Sequence, residues 1–131
     1  MIVDTSALLA ILKREPEAAA CSQLLESTPQ VRISAATYLE AAIVIDCLRN
    51  PLLSRAFDSL IERAKIVIEP VTAQQAVIAR QAYRDYGRGS GHAANLNFGD
   101  CFSYALARAL DEPILFKGSD FSQTDLESAA A

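Results

Sequence analysis

The chain opens with a short apolar run, Met1-Ile2-Val3, that stops on Asp4 and passes at once into Thr5-Ser6 and an amphipathic segment. A strand that ends on an acid and turns directly into a helix leaves few architectures open. Units of this kind assemble into a parallel sheet linked by helices, and such sheets carry their active sites at the carboxyl edge of the strands. Three further apolar runs, at 31–34, 66–69 and 113–117, are spaced along the chain with helical patterns between them. The alternation predicts a three-layer α/β/α fold with right-handed crossovers and a central, mainly parallel sheet of four or five strands. One domain is expected over residues 1–131, a length sufficient for a genuine core.

The helical stretches can be placed from periodicity and punctuation. Leu8, Leu9 and Leu12 share a face after Thr5-Ser6, and Pro16 interrupts it. Residues 17–27 follow with Cys21, Leu24 and Leu25 inward, then 35–49. Pro51 opens a fourth helix whose expected inner face is Leu52, Leu53, Ala56, Phe57, Leu60, Ile61 and Ala64. Thr72 caps a fifth running to about Tyr86, and a sixth spans 98–110. The glycine-rich stretch 87–97 reads as a mobile surface loop, and 128–131 as a frayed tail. Ser122-Gln-Thr-Asp125 matches a capping box opening a short terminal helix.

Composition removes several function classes. Twelve basic against 16 acidic residues give a net charge of -4, unsuited to a module that coats phosphates. The objection is weaker for an enzyme that brings positive charge as bound ions. Cys21, Cys47 and Cys101 lack metal-binding spacing and lie beside apolar residues, as reduced core thiols of a cytoplasmic protein would. His92 is the single histidine, which disfavours both a zinc centre and a Ser-His-Asp triad. Neither a signal peptide nor a membrane-spanning run is expected.

The acids remain. Asp4 and Asp120 both follow apolar strand runs, so neighbouring strands would bring them to one edge. Asp4 can also cap a helix, although Thr5 and Ser6 can do so as well. Glu40 shares its helix face with Ile43, Val44 and Cys47, and a charge on an apolar stripe is costly unless paired or metal-bound. Asp46, on the opposite side and near Arg49, reads as solvated. Asp100 sits in a first helical turn, where the macrodipole favours an acid, yet its face continues through Ser103, Tyr104 and Ala107. Gly99 before it would let another chain approach closely. Carboxylates gathered at one edge need a cation to stay ionised together, and oxygen ligands suit Mg²⁺ or Mn²⁺.

Four stretches in order now resemble a known family. Met1-Ile-Val-Asp4-Thr-Ser6-Ala-Leu-Leu, Ser34-Ala-Ala-Thr-Tyr-Leu-Glu40, Asn97-Phe-Gly-Asp100-Cys-Phe-Ser-Tyr-Ala-Leu-Ala and Leu115-Phe-Lys-Gly-Ser-Asp120-Phe-Ser-Gln-Thr-Asp125 are similar to the PIN domain, specifically to toxin ribonucleases of the VapC type. The resemblance implies that Asp4, Glu40, Asp100 and Asp120 bind Mg²⁺ or Mn²⁺, with Ser6 orienting the first acid. Family members often carry a threonine shortly before the fourth acid. Here the stretch is Phe116-Lys117-Gly118-Ser119, so Asp125 stays open as a substitute for Asp120.

The implied reaction is endonucleolytic hydrolysis of RNA by metal-activated water, leaving a 5′-phosphate and a 3′-hydroxyl. A homodimer and a VapB-type antitoxin, whose segment enters the active-site groove, are implied as partners, with DNA reached only through the antitoxin complex. Arg84, Arg88 and Lys117 are candidates for holding flanking phosphates. Two other readings stay open: a catalytically weak PIN-like partner-binding module, and a Mg²⁺-dependent phosphatase. The phosphatase would want a second acid two residues after Asp4, where Ser6 stands.

Overall fold

The computed structural model describes residues 1–130. In chain order the elements are β1 (Ile2–Val3), α1 (Thr5–Leu12), α2 (Ala18–Ser27), β2 (Arg32–Ser34), α3 (Ala35–Cys47), α4 (Pro51–Arg63), β3 (Val67–Glu69), α5 (Ala73–Tyr86), α6 (Phe98–Leu110) and β4 (Ile114–Leu115), followed by one 3-10 turn, Phe121–Gln123. The strands lie in the order β3-β2-β1-β4, every pair parallel. The chain therefore walks outward from β1 to β3 and then returns to lay β4 on the other side of β1. Such a reversal opens a crevice at the carboxyl ends of the central strands.

Successive strand residues point to opposite faces, and the core divides accordingly. Val3, Ile33 and Leu115 pack with Leu8, Leu25, Ile45 and Phe57 from the first four helices. Ile2 and Ile114 pack with Ala82, Leu96, Tyr104 and Leu106 from the last two helices and the segment joining them. Covered on both faces, β1 and β4 read as unbroken apolar runs rather than alternating ones. The helices start where polar side chains can take a first-turn amide. Asp4, Ser34, Asn50, Thr72 and Asn97 accept from Ser6, Ala36, Leu52, Gln75 and Asp100, respectively. Among the described residues, no helix is long and apolar enough to cross a membrane.

Several expectations are corrected. The helix cap before Thr5 is Asp4 itself. Leu52 and Ala56 face solvent on α4, because Phe57, Leu53, Leu60 and Ile61 suffice to seat that helix. Cys21 and Cys101 are buried thiols, but Cys47 is exposed at the end of α3. The stretch 87–97 is no free loop: the Arg88 amide donates to the Leu96 carbonyl, the Leu96 amide to the Tyr86 carbonyl, and Ala94 and Leu96 are fully buried. Burying those two apolar side chains outweighs the glycine content that suggested mobility.

The tail is not frayed either. The Ile114 amide donates to the Glu127 carbonyl and the Ala129 amide to the Ile114 carbonyl, each at 2.9 Å, so Ser128 bridges in parallel beside β4. This rudimentary fifth strand covers an otherwise open edge; Ala131 lies outside the described residues. No terminal helix forms at Ser122–Asp125, because the Asp125 carboxylate is used elsewhere.

Candidate active site

Asp4 follows β1 directly and is nearly fully buried. Its Oδ2 accepts from the Ser6 amide at 3.1 Å and the Ser6 hydroxyl at 2.8 Å, and its Oδ1 accepts from Ser103 Oγ at 2.6 Å. The Ser6 hydroxyl in turn accepts from the Lys117 amide at 3.0 Å, joining the start of α1 to the segment after β4. A side chain so engaged by backbone and hydroxyl donors is fixed in direction, which is the role expected for Ser6.

Glu40 stands on α3, the helix that Ser34 starts at the end of β2. Thr5 Oγ1 donates to its Oε1 at 2.7 Å. The reason given for Glu40 from sequence does not hold. Ile43 and Cys47, on its face, are exposed, and the buried face of α3 is Thr37, Ala41 and Ile45. The half-buried carboxylate instead lies over the start of α6, against Gly99, where any Cβ would collide with it. The expected close approach at Gly99 is thus made by Glu40 itself.

Asp100 lies in the first turn of α6, locked in a reciprocal cap. Its amide donates to Asn97 Oδ1 at 2.8 Å and its Oδ2 accepts from the Asn97 amide at 3.0 Å. Burial raises its pKa from the usual 3.8 to about 6, and repulsion from Asp4, Asp120 and Glu40 pushes the same way, against the pull of the Asn97 amide. Asp100 thus lies within electrostatic reach of the other three acids. Asp120 is exposed just before the 3-10 turn and caps nothing with its side chain. Asp125 is accounted for elsewhere: it accepts from the Tyr104 hydroxyl at 2.7 Å and faces Arg108 at 3.7 Å.

Among the described residues, none of Asp4, Glu40, Asp100 and Asp120 is paired with a lysine or arginine. Nor do any three acids, thiols or imidazoles close into a ready ligand cluster. Each of the first three acids is drawn toward its own local donor: the two serines, Thr5, or the Asn97 amide. The donor set is all oxygen, without a thiolate or imidazole, which fits a hard divalent ion.

The basic candidates separate. Arg84 and Arg88 are exposed and make no ion pair among the described residues. The Lys117 ammonium is held by Glu15 and lies 3.7 Å from Glu17. Sequence reasoning named Thr5 only as a possible cap and Ser103 only as part of the Asp100 face, and passed over Thr37; the hydroxyls of all three lace the site together. A signal existed: Thr37 precedes Glu40 by three positions and Ser103 follows Asp100 by three, so each shares a helix face with an acid.

A sheet of parallel strands between helical layers defines a class, and the PIN domain model matches residues 1–127. The chain belongs to the PIN-domain family. Its relatives there are VapC ribonucleases. Ribonuclease VapC28 of Mycobacterium tuberculosis is 57% identical over 129 residues, covering 98% of this chain and 97% of the relative. Ribonuclease VapC42 of the same organism is 49% identical over 129 residues, covering 98% of each. Two solved structures share the fold. The crystal structure of Mycobacterium tuberculosis VapC20, described as a sarcin-ricin loop cleaving toxin, superposes with a TM-score of 0.71 at 22% identity over 95% of both chains. A toxin-antitoxin complex from Klebsiella pneumoniae gives a TM-score of 0.71 at 19% identity over 99% of this chain and 97% of that one.

Proposed function

We propose that this chain, as one PIN domain, is the ribonuclease toxin of a toxin–antitoxin pair, an endoribonuclease that uses Mg²⁺ or Mn²⁺ to hydrolyse RNA phosphodiester bonds. The observation that carries the reading is the buried Asp4 at the end of β1, which, like Glu40, Asp100 and Asp120, has no lysine or arginine partner among the described residues. Kinship with VapC ribonucleases at 57% and 49% identity supports the same reading.

Asp4, Glu40 and Asp100 would hold the ion, with Asp120 approaching from the solvent side in preference to Asp125. A divalent ion bound there supplies Lewis acidity, acidifying a water and offsetting charge that builds on the scissile phosphate. Ser6 and Ser103 keep the Asp4 carboxylate aimed, and Thr5 does the same for Glu40. Water oxygen bonds to phosphorus in line as the bond to the 3′ oxygen breaks, and that oxygen leaves with a proton as a 3′-hydroxyl. Arg84 and Arg88 hold flanking phosphates; Lys117 joins them only by giving up Glu15 and Glu17.

A VapB-type antitoxin is the partner that this reading requires. A segment of it would enter the active-site groove, as the family resemblance implies. A second copy is the occupant proposed for the exposed Val77 and Phe98, 70% and 77% accessible. At net charge -4 the chain contacts DNA only through its antitoxin complex, and the cytoplasm is its proposed compartment.

The deciding experiment incubates the purified chain with RNA in Mg²⁺ or Mn²⁺ and then in EDTA, beside identically prepared Asp4→Asn and Asp100→Asn variants. Cleavage is expected in the ions alone and in the unaltered chain alone. Cleavage that persists in chelator, or in both variants, removes the mechanism. Failure of the unaltered chain to bind Mn²⁺ in calorimetry favours the non-catalytic module instead.

A further inference from the structure

Ser103 is wholly buried, carried on α6 between Phe102 and Tyr104. A hydroxyl removed from water must use its proton, and two oxygens stand in reach: Asp4 Oδ1 at 2.6 Å and Thr37 Oγ1 at 3.1 Å. A carboxylate only accepts, so the Ser103 proton lies toward Asp4. The Ser103 oxygen is then left as an acceptor, and Thr37, 1% exposed on α3, must be the donor to it. The direction of the whole chain, Thr37 to Ser103 to Asp4, follows from the last member.

The same α3 turn is tied to the second acid, since Thr5 donates to Glu40 and its hydroxyl lies 3.4 Å from the Thr37 carbonyl. Folding alone gives little reason for a serine here. Alanine has the higher helix propensity, and α6 is otherwise packed around this point by Cys101, Tyr104, Ala105 and Leu106. What serine adds is a donor on the one Asp4 oxygen that Ser6 does not reach.

We propose that Ser103, oriented by Thr37, is a positioning residue that sets the direction of the Asp4 carboxylate for the divalent ion. The role rests on the metal-dependent nuclease reading above. Groups that hydrogen-bond to metal ligands typically change metal affinity or activity by about 10- to 100-fold when removed.

The test compares the full chain with Ser103→Ala, Thr37→Val and Thr37→Ser, measuring Mn²⁺ affinity by calorimetry, fold by circular dichroism, and kcat and KM on RNA. Ser103→Ala and Thr37→Val are expected to remain folded and to weaken Mn²⁺ binding by about tenfold or more. Their kcat should fall with KM for RNA unchanged. Thr37→Ser keeps the hydroxyl and should restore both quantities to within about twofold. A metal-free crystal structure of Ser103→Ala should find the Asp4 carboxylate turned from its present direction. Unchanged Mn²⁺ affinity in folded Ser103→Ala overturns the proposal and leaves the nuclease reading standing. So does a Ser103→Ala chain that cannot fold, beside a folded Thr37→Val chain with unchanged affinity. If the unaltered chain binds no Mn²⁺, the nuclease reading itself fails and takes this role with it.

Discussion

At the second position of α6, Gly99 leaves the space in which the Glu40 carboxylate lies. Alanine would favour the helix by up to about 1 kcal/mol, yet its Cβ would evict the carboxylate. Gly99→Ala is therefore expected to melt no lower than the parent while losing at least about tenfold in cleavage rate. Asp100 gives a second test. Its folded pKa of about 6 exceeds the ordinary 3.8, so between those values the folded state binds more protons than the unfolded. Stability must fall as pH rises from about 4 to about 6 and stay lower above. Asp100→Asn should raise stability by about 1 kcal/mol at pH 7.5 in EDTA, allowing for solvent screening, with the gain vanishing below pH about 4. Mn²⁺ affinity of the parent should weaken as pH drops through about 6, because protons then compete with the ion for Asp100. Asp4 and Asp100 were legible at this scale because each is an acid at a strand end or helix start. Ser103 and Thr37 share helix faces with Asp100 and Glu40, but that spacing alone does not show where their hydroxyl protons go.

Among the elements, α3 shows why amphipathicity misled. Its inner face holds Thr37, Ala41 and Ile45, while Leu39 and Ile43 stay exposed. The apolar stripe pointing outward was thus mistaken for the one pointing in, and Cys47 with it. Glu40 was found by a faulty argument. The terminal segment was hidden for another reason: a strand reduced to one bridge at Ser128 has no period to detect. Its anchor is Asp125, joined to Tyr104 and Arg108 of α6. Asp125→Ala should release it. In hydrogen exchange, the Ala129 and Ile114 amides are expected to lose protection while those of Arg32 and Val67, internal to the β1–β2–β3 ladder, keep theirs. Equal loss throughout the sheet would deny the segment any independence.

For the molecule as a whole, the layers, the parallel sheet and most helix placements were readable because apolar strand runs alternate with helical patterns, whereas the strand order came only from the fold. Exposed apolar positions were not readable, since Val77 and Phe98 sit in patterns that look like core until the fold leaves them outside. If these two seat the proposed second copy, the parent should sediment as a dimer and the double glutamate variant as a monomer; a parent that sediments as a monomer denies the homodimer. A bound ion should stabilise the whole fold by mass action, about 2.7 kcal/mol at 100 times its Kd. Thermal melts in Mn²⁺ are expected to rise accordingly and to return to baseline with EDTA. The return of the chain to lay β4 beside β1 carries a consequence for synthesis. Asp4 and Glu40 emerge from the ribosome early, but Asp100 and Asp120 come near the end, after about three-quarters of the chain has been made. Under the proposed function, a half-translated molecule lacks the centre, which is complete only when the final strand is home.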